Sequence, residues 1–214
     1  TNHTTFSGSL RKNMMKKKLL HSRLSVVKQL FVLGLFTIFL VGCSKNSDVN
    51  PSNTTNPADA FTYEIASNWA ELQLNLTKST SGYTPPVAAR AYGLGGLTMY
   101  ESIVPGLLDH SSLAGQLSNL SKLPTIESGK SYNWALALNA GQATILKALY
   151  AESSLAQASN NQKKIDSLET VMTATFKGSS NTDEIERSTT FGKNIANAIF
   201  EWSKTDGGHE GYKR

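Results

Sequence analysis

No catalytic constellation is visible in this 214-residue chain, and the side chains that could form a zinc-type site lie far apart in the sequence. They are one cysteine, Cys43, and four histidines, His3, His21, His110 and His209. A zinc-type site needs several such ligands at short spacing, and no histidine here has a cysteine nearby. We therefore predict no catalytic, cofactor-binding or metal-binding residue in the chain.

Two charged residues, Arg90 and Glu101, lie in an otherwise apolar segment. They are three helical turns apart and cannot pair with each other, so a salt bridge from each to another element is favoured over a ligand role. The run Gly93–Gly96 lacks the G-x-G-x-x-G spacing and follows no strand, so it favours close helix packing over phosphate binding. The segment Asp206–Gly211 is typical of a helix exit into a flexible loop, with ligand contact as the weaker alternative.

Residues 14–42 are typical of a lipoprotein signal peptide. Basic residues from Lys16 to Lys28 precede the uncharged apolar run Leu30–Val41, which is too short for a lasting membrane span. The sequence Leu40-Val41-Gly42-Cys43 then resembles a bacterial lipobox, and it predicts that the thiol of Cys43 carries the lipid. The alternative is a chance cysteine after an ordinary signal peptide or a short membrane segment. A single cysteine also excludes an internal disulfide.

The signal peptide sets the domain organisation. Since Met14 or Met15 is the expected start, residues 1–13 are interpreted as an upstream artefact. Residues 43–56 are rich in Ser, Asn, Thr and Asp and predict a flexible tether, followed by a helical domain at 57–214. Lipid on Cys43 would attach the protein to the cell envelope, and we expect it at the outer membrane, facing the periplasm.

The net charge of +5 comes from the leader. Residues 1–42 hold seven basic and no acidic residues, so the rest of the chain has 14 Lys and Arg against 16 Asp and Glu. Phosphate binding needs clustered basic residues on the folded part, so no nucleic-acid partner is expected. Assembly into a homo-oligomer is left open.

The element that would position Arg90 and Glu101 is a helix beginning at Pro85. Thr84 can cap it, and its first turn tolerates two prolines because N–H groups there lack helical partners. The stop signal at Pro105-Gly106 predicts about twenty residues. Their small side chains predict a central helix with neighbours on more than one side; these are Ala88, Ala89, Ala91, Gly93, Gly95 and Gly96.

Apolar residues at helical spacing predict four further helices, and alternation typical of strands is absent. The helices would contain Trp69, Trp134, Ile165 and Ile195. Between these helices, the irregular pattern of residues 107–130 predicts a loop that covers the bundle, with one or two helical turns at most. The expected fold is an all-α helical bundle of about five helices, an incomplete half of a larger helical domain.

Four stretches of the sequence together carry a family resemblance. They are Trp69, Pro85-Pro86-Val87-Ala88-Ala89-Arg90-Ala91, Met99-Tyr100-Glu101 and Trp202-Ser203-Lys204-Thr205-Asp206-Gly207-Gly208. They resemble the amino-terminal half of vanadium-dependent haloperoxidases, specifically the lipoprotein members from Bacteroidetes-type bacteria in the type 2 phosphatidic-acid phosphatase superfamily. The resemblance covers Asp59 to Arg214.

The resemblance implies vanadate in the intact parent, held in the carboxy-terminal half by a lysine, an Arg-Pro pair, a Pro-Ser-Gly-His turn and a later Arg with a His. None of these motifs occurs here. The expectation is therefore a fragment of a membrane-anchored haloperoxidase that binds no cofactor alone and is inactive alone. Its partner would be the missing half, which would cover an exposed apolar face. The alternatives are a related acid phosphatase fragment, or a non-catalytic helical lipoprotein that binds a partner or glycan.

Overall fold

The computed structural model describes residues 57–151 and 155–213, without the side chains of residues 155 and 156. Its regular structure is entirely helical, which confirms the all-α prediction and the number of helices. The five helices are α1 (Glu64–Ser79), α2 (Pro85–Glu101), α3 (Trp134–Tyr150), α4 (Leu155–Phe176) and α5 (Thr182–Ser203). Short 3-10 turns lie at Ala58–Ala60, Val104–Gly106 and Gly211–Lys213. None of the described helices is long and apolar enough to cross a membrane.

The centre of the fold is α3. All of its residues are buried except Thr144, Lys147 and Ala148, which are half-buried, and it contacts the other four helices. Its sequence carries a single charge and is apolar around its whole circumference, which is the pattern of a helix with neighbours on every side.

The prediction that the Pro85 helix is central is wrong. Helix α2 packs on the core along one side, through buried residues such as Leu94 and Thr98. Its opposite side is exposed and includes Ala89, Gly93 and Gly96. Small side chains permit close approach of another helix, but they do not require one, and here three of the six face outward.

Helix α5 crosses α3 with the two backbones in direct contact. A Cβ atom built on Gly192 would overlap the carbonyl oxygen of Ala137 and lie 3.0 Å from the backbone nitrogen of Gly141. A Cβ on Gly141 would in turn meet the hydroxyl of Ser102. Glycine at these positions therefore sets the distance between the helices, since any side chain would push them apart.

The observed helix ends reflect their local sequence. Helix α2 begins at Pro85 as predicted, with Thr84 extended at the N-cap position, although the Thr84 side chain makes no capping hydrogen bond. It ends at Glu101 and is 17 residues long, because the chain turns at Ser102 before the 3-10 turn at Val104–Gly106. The predicted loop at 107–130 has no helix, and the buried side chain of Leu120 fixes it to the core.

The N-cap of α5 allows a direct test of local helix stability. The side chain of Asn181 accepts a hydrogen bond of 2.9 Å from the backbone N–H of Glu184. Replacing Asn181 with Ala should lower the free energy of unfolding by about 1 kcal/mol, because that N–H loses its partner. Urea unfolding followed by circular dichroism measures the change, and Asn181→Ser, which keeps an acceptor, should remain near wild type. Equal stability of the Ala variant would contradict the capping role.

Candidate functional site

Part of the predicted chemistry falls outside the described residues. These predictions concern the segment 1–13, the signal peptide at 14–42, the lipidation site Cys43, the tether up to residue 56, and the histidines His3 and His21. The structure bears on the remaining candidates, which are Arg90, Glu101, the glycine run, the two later histidines and the segment 206–211.

Arg90 joins α2 to the end of α5. Its Nε donates to the Asp206 carboxylate at 2.7 Å, and its Nη2 donates to the backbone oxygen of Ser203 at 2.6 Å. The Arg90 side chain is 20% exposed, so this ion pair is largely sheltered on one side. The predicted salt bridge from Arg90 to another element is therefore confirmed.

The environment of Asp206 favours its ionised form. Burial alone would raise the pKa of this carboxyl, but the hydrogen bonds from Arg90 and from the backbone N–H of Gly208 outweigh that effect. The net result is a pKa below the ordinary value of 3.8. A carboxyl whose pKa is lowered on folding stabilises the fold above its unfolded pKa, and the contribution disappears as pH falls through the folded value.

The lowered pKa of Asp206 predicts how the stability of an Asp206→Asn variant, relative to wild type, depends on pH. At neutral pH the variant should be about 0.5 kcal/mol less stable than wild type, a small value because the pair is partly solvated. The difference should shrink as pH falls through the lowered pKa of folded Asp206 and vanish once this carboxyl is protonated in both states. Urea unfolding across this range measures it, with Asp59→Asn at an exposed site without an ion pair in the described chain as the control. A difference independent of pH would contradict the assignment.

Glu101 is 2% exposed and makes no salt bridge within the described chain, so the prediction for this residue is wrong. Its carboxyl oxygens instead accept hydrogen bonds from the backbone N–H of Leu113 at 2.6 Å and from the Ser112 hydroxyl at 2.8 Å. These two donors replace water around the buried carboxyl. Glu101 therefore anchors the loop at 107–133 to the end of α2, which is a structural role.

Within the described chain, the glycine run has a packing neighbour at one position. A Cβ on Gly95 would collide with the Gln73 amide of α1, and the Gly95 carbonyl accepts a hydrogen bond of 2.8 Å from Gln142 of α3. Gly93 and Gly96 have nothing within 4 Å of the corresponding Cβ positions in the part of the chain that the structure describes. The packing interpretation is thus correct for Gly95, and the described residues provide no packing partner for the other two.

The segment 206–211 does not extend away from the domain; it folds back along α2. Gly208 lies against the Arg90 side chain, and Gly211 lies against Val87. The following residue, Tyr212, stacks on Tyr83 with ring centroids 6.1 Å apart and ring planes within 2° of parallel. The segment 206–213, here called the strap, therefore forms one wall of a cleft.

This cleft, the strap cleft, has a volume of about 300 Å³. Apolar, aromatic and ionisable side chains line it, and we refer to these three groups as its floor, walls and rim. The floor group is Val87, Ala91, Ala148 and Leu149; the wall group is Tyr83, Phe200 and Tyr212; the rim group is Arg90, Lys204, His209 and Glu210. Sequence reasoning selected Arg90 and the strap but missed the tyrosines, since nothing in their spacing links positions 83 and 212.

Tyr83 organises the aromatic wall. It stacks between Tyr212 and Tyr150, with a centroid distance of 4.5 Å to the latter, and its hydroxyl donates to the Leu149 carbonyl. Burial raises the pKa of Tyr83 above its ordinary range and raises that of Tyr150 to about 12. Both hydroxyls are therefore protonated at neutral pH, so neither can act there as a general base.

A second groove, of about 380 Å³, lies beside Arg187 and the start of α5. The Arg187 guanidinium donates to the Ser131 carbonyl at 2.8 Å and lies over the Tyr132 ring. Acidic side chains of Asp183 and Glu186 line the same groove. Among the residues that the structure describes, no three His, Cys, Asp or Glu side chains are grouped to hold a metal ion.

The described residues do not fit vanadate. An oxyanion pocket needs several cationic groups and N–H donors that converge on one point. Here Arg90 and Arg187 lie in different clefts and each donates to protein oxygens. No step of a vanadate-dependent reaction can be assigned to these side chains.

No protein-family model, no curated protein and no solved structure matches this chain. The resemblance to haloperoxidases therefore depends on the sequence stretches that carry it.

Proposed function

We propose that this chain is the helical amino-terminal half of a lipid-anchored, vanadium-dependent haloperoxidase, and that it supplies scaffold to a catalytic half that it does not contain. The observation that carries the proposal is the outer face of α2. Its exposed residues are Pro85, Pro86, Ala89, Tyr92, Gly93 and Gly96.

The outer α2 face has the composition of a surface that another helix covers. This face has no acidic or basic residue. The basic and acidic residues of α2 are Arg90, which is bonded to the strap, and Glu101, which is bonded to the loop at 107–133. Two exposed glycines cost roughly 1 kcal/mol each in helix propensity, and neither has a neighbour in the described chain that would require it. Close packing of a further helix against this face would explain why both positions are glycine.

In this proposal the oxyanion chemistry belongs to the carboxy-terminal half. Bound vanadate would there support oxidation of halide by hydrogen peroxide, or a phosphoester would occupy the same pocket in a phosphatase. The residues of this chain position that half through α2 and attach the assembly to the outer membrane through Cys43.

The reading frame that follows the Arg214 codon tests the proposal directly. We expect it to encode the lysine, Arg-Pro and Pro-Ser-Gly-His motifs. A protein comprising both halves should oxidise bromide with peroxide once loaded with vanadate, and the present chain alone should not. A frame without these motifs would overturn the proposal, and phosphoester hydrolysis without halide oxidation would assign the protein to the phosphatases.

Docking through α2 can be tested separately. In the two-half protein, Gly93→Arg should weaken association and activity, because a long charged side chain would enter the helix contact. Ala70→Arg, at an exposed position of α1, is the matched control and should leave both unchanged. Full activity of Gly93→Arg would show that the outer α2 face is not the contact.

Anchoring through Cys43 predicts a lipid mass on the protein isolated from bacterial membranes. A Cys43→Ser variant should lack that mass and leave the membrane fraction. Membrane retention of an unmodified Cys43→Ser protein would contradict the lipobox interpretation.

One observation favours a second candidate, a non-catalytic helical lipoprotein. The core around α3 is closed, with Trp69, Trp134 and Ile199 at most 1% exposed. A closed core is what an independently stable binding protein requires. A stable monomer from a gene with no catalytic half would support this candidate.

A further inference from the structure

We propose that the strap cleft binds a small uncharged molecule built on one aromatic ring with a hydrogen-bond-accepting oxygen, such as a substituted phenol. This inference does not depend on the proposed haloperoxidase function, because it uses only residues of the cleft. Its supports are the volume, the aromatic and apolar lining, and the pairing of the charges at the rim.

The charges at the rim are compensated by protein groups. Arg90 pairs with Asp206, Lys204 with Glu201, and Glu210 with Lys213 at 2.9 Å. The fourth rim residue, His209, has its ring edge-on to Phe200 at a centroid distance of 5.8 Å. A charged ligand would have to compete with these pairs, whereas an uncharged one leaves them intact.

The lining selects a flat, apolar ring. The purely aliphatic side chains of Val87, Ala91 and Ala148 cannot hydrogen-bond a ligand. The rings of Tyr83, Phe200 and Tyr212 line the cleft and favour offset or edge-to-face contact with a ligand ring. A sugar carries hydroxyl groups around its whole edge and would leave several of them unpaired against this floor, which is costly.

Among the lining residues, Arg90 is the one we assign as donor to a ligand oxygen. Arg90 uses Nε and Nη2 on protein acceptors, and no hydrogen bond of the described chain uses its Nη1. A volume of about 300 Å³ is at the small end of ligand pockets, which suits a single ring with a few substituents. The ring would lie on the floor and its oxygen would lie at the rim beside Arg90.

Fluorine NMR titration tests the inference, with para-fluorophenol added to the full chain in detergent micelles and protein-free micelles as the blank. Wild type should show a saturable shift of the fluorine resonance. Ala148→Leu, whose larger side chain occupies part of the cleft, should raise the apparent Kd by about tenfold. Ala70→Leu makes the same change at an exposed site of α1 outside the cleft, and it should bind as wild type does.

A second variant keeps the test decisive if the first one fails to fold. Tyr212→Ala removes one half-buried ring from the strap and should weaken binding by about threefold through lost stacking. Circular dichroism melting identifies any variant that fails to fold, and if Ala148→Leu does so, Tyr212→Ala decides.

Three probes of other chemistry complete the test, namely para-fluorobenzoate, para-fluorobenzylammonium and fluoroglucose. Each should bind more weakly than the phenol. The inference is overturned if the phenol shows no saturable shift, if both cleft variants bind like wild type, or if the anion, the cation or the sugar binds more tightly than the phenol.

Discussion

Replacing Gly192 with Ala is expected to lower the free energy of unfolding by about 3 kcal/mol, the upper part of the usual range for overpacked cores. The added methyl group would overlap the Ala137 carbonyl and lie 2.8 Å from its carbon, so only a shift of α3 against α5 could accommodate it. Alanine has the better helix propensity by roughly 1 kcal/mol, but that gain is smaller than the cost of the shift.

The matched control is Gly93→Ala on the outer α2 face. Its Cβ would meet nothing within 4 Å, so helix propensity acts alone and should raise stability by about 0.8 kcal/mol. Urea unfolding of the full chain in detergent, followed by circular dichroism, compares the two variants. If Gly192→Ala were as stable as wild type, α3 and α5 would not be in backbone contact.

Replacing Asn139 with Ala is expected to cost about 3 kcal/mol as well. This buried amide accepts a hydrogen bond of 2.9 Å from the Trp69 indole of α1. It also donates to the Glu169 carbonyl and the Thr173 hydroxyl of α4, both at 2.9 Å. The variant would lose all three bonds and leave the fully buried Trp69 N–H without a partner.

A double-mutant cycle isolates the contact with α1. In a Trp69→Phe background the unpaired N–H no longer exists, so Asn139→Ala should cost about 1 kcal/mol less than in wild type. Asn197→Ala, at an exposed position of α5, is the control and should change stability by less than about 0.5 kcal/mol. Additive effects of the two substitutions would show that the indole and the amide do not interact in solution.

The central position of α3 was not predicted, although its sequence contains a signal for it. From Trp134 to Leu146 this helix has no charged residue, a pattern that predicts burial on all sides, and it could have identified the central helix. The glycine-rich α2 was preferred because small residues permit close packing. Which small residue has a neighbour depends on the rotation of the helix about its axis, and that rotation is set by the contacts of the whole bundle.

Glu101 and the strap illustrate the same limit at the candidate site. Both charges on α2 were predicted to pair with another element, and Arg90 does so while Glu101 uses a backbone N–H and a hydroxyl. A buried carboxyl needs donors of some kind, but the sequence does not show whether a side-chain cation or the backbone will provide them. The loop that supplies the Glu101 donors has no regular pattern from which to predict its path.

The sequence by itself determined the all-α class, the number of helices and the start of α2 at Pro85, because periodicity, caps and prolines act over a few residues. It also determined the charge balance, from which we predict no nucleic-acid partner, and the lipobox-like sequence from which we predict an anchor at Cys43. Only the tertiary structure decided that Arg90 meets Asp206 and that Tyr83 and Tyr212 line one cleft. These contacts join residues more than a hundred positions apart, and their free energy comes from the packing of the complete bundle.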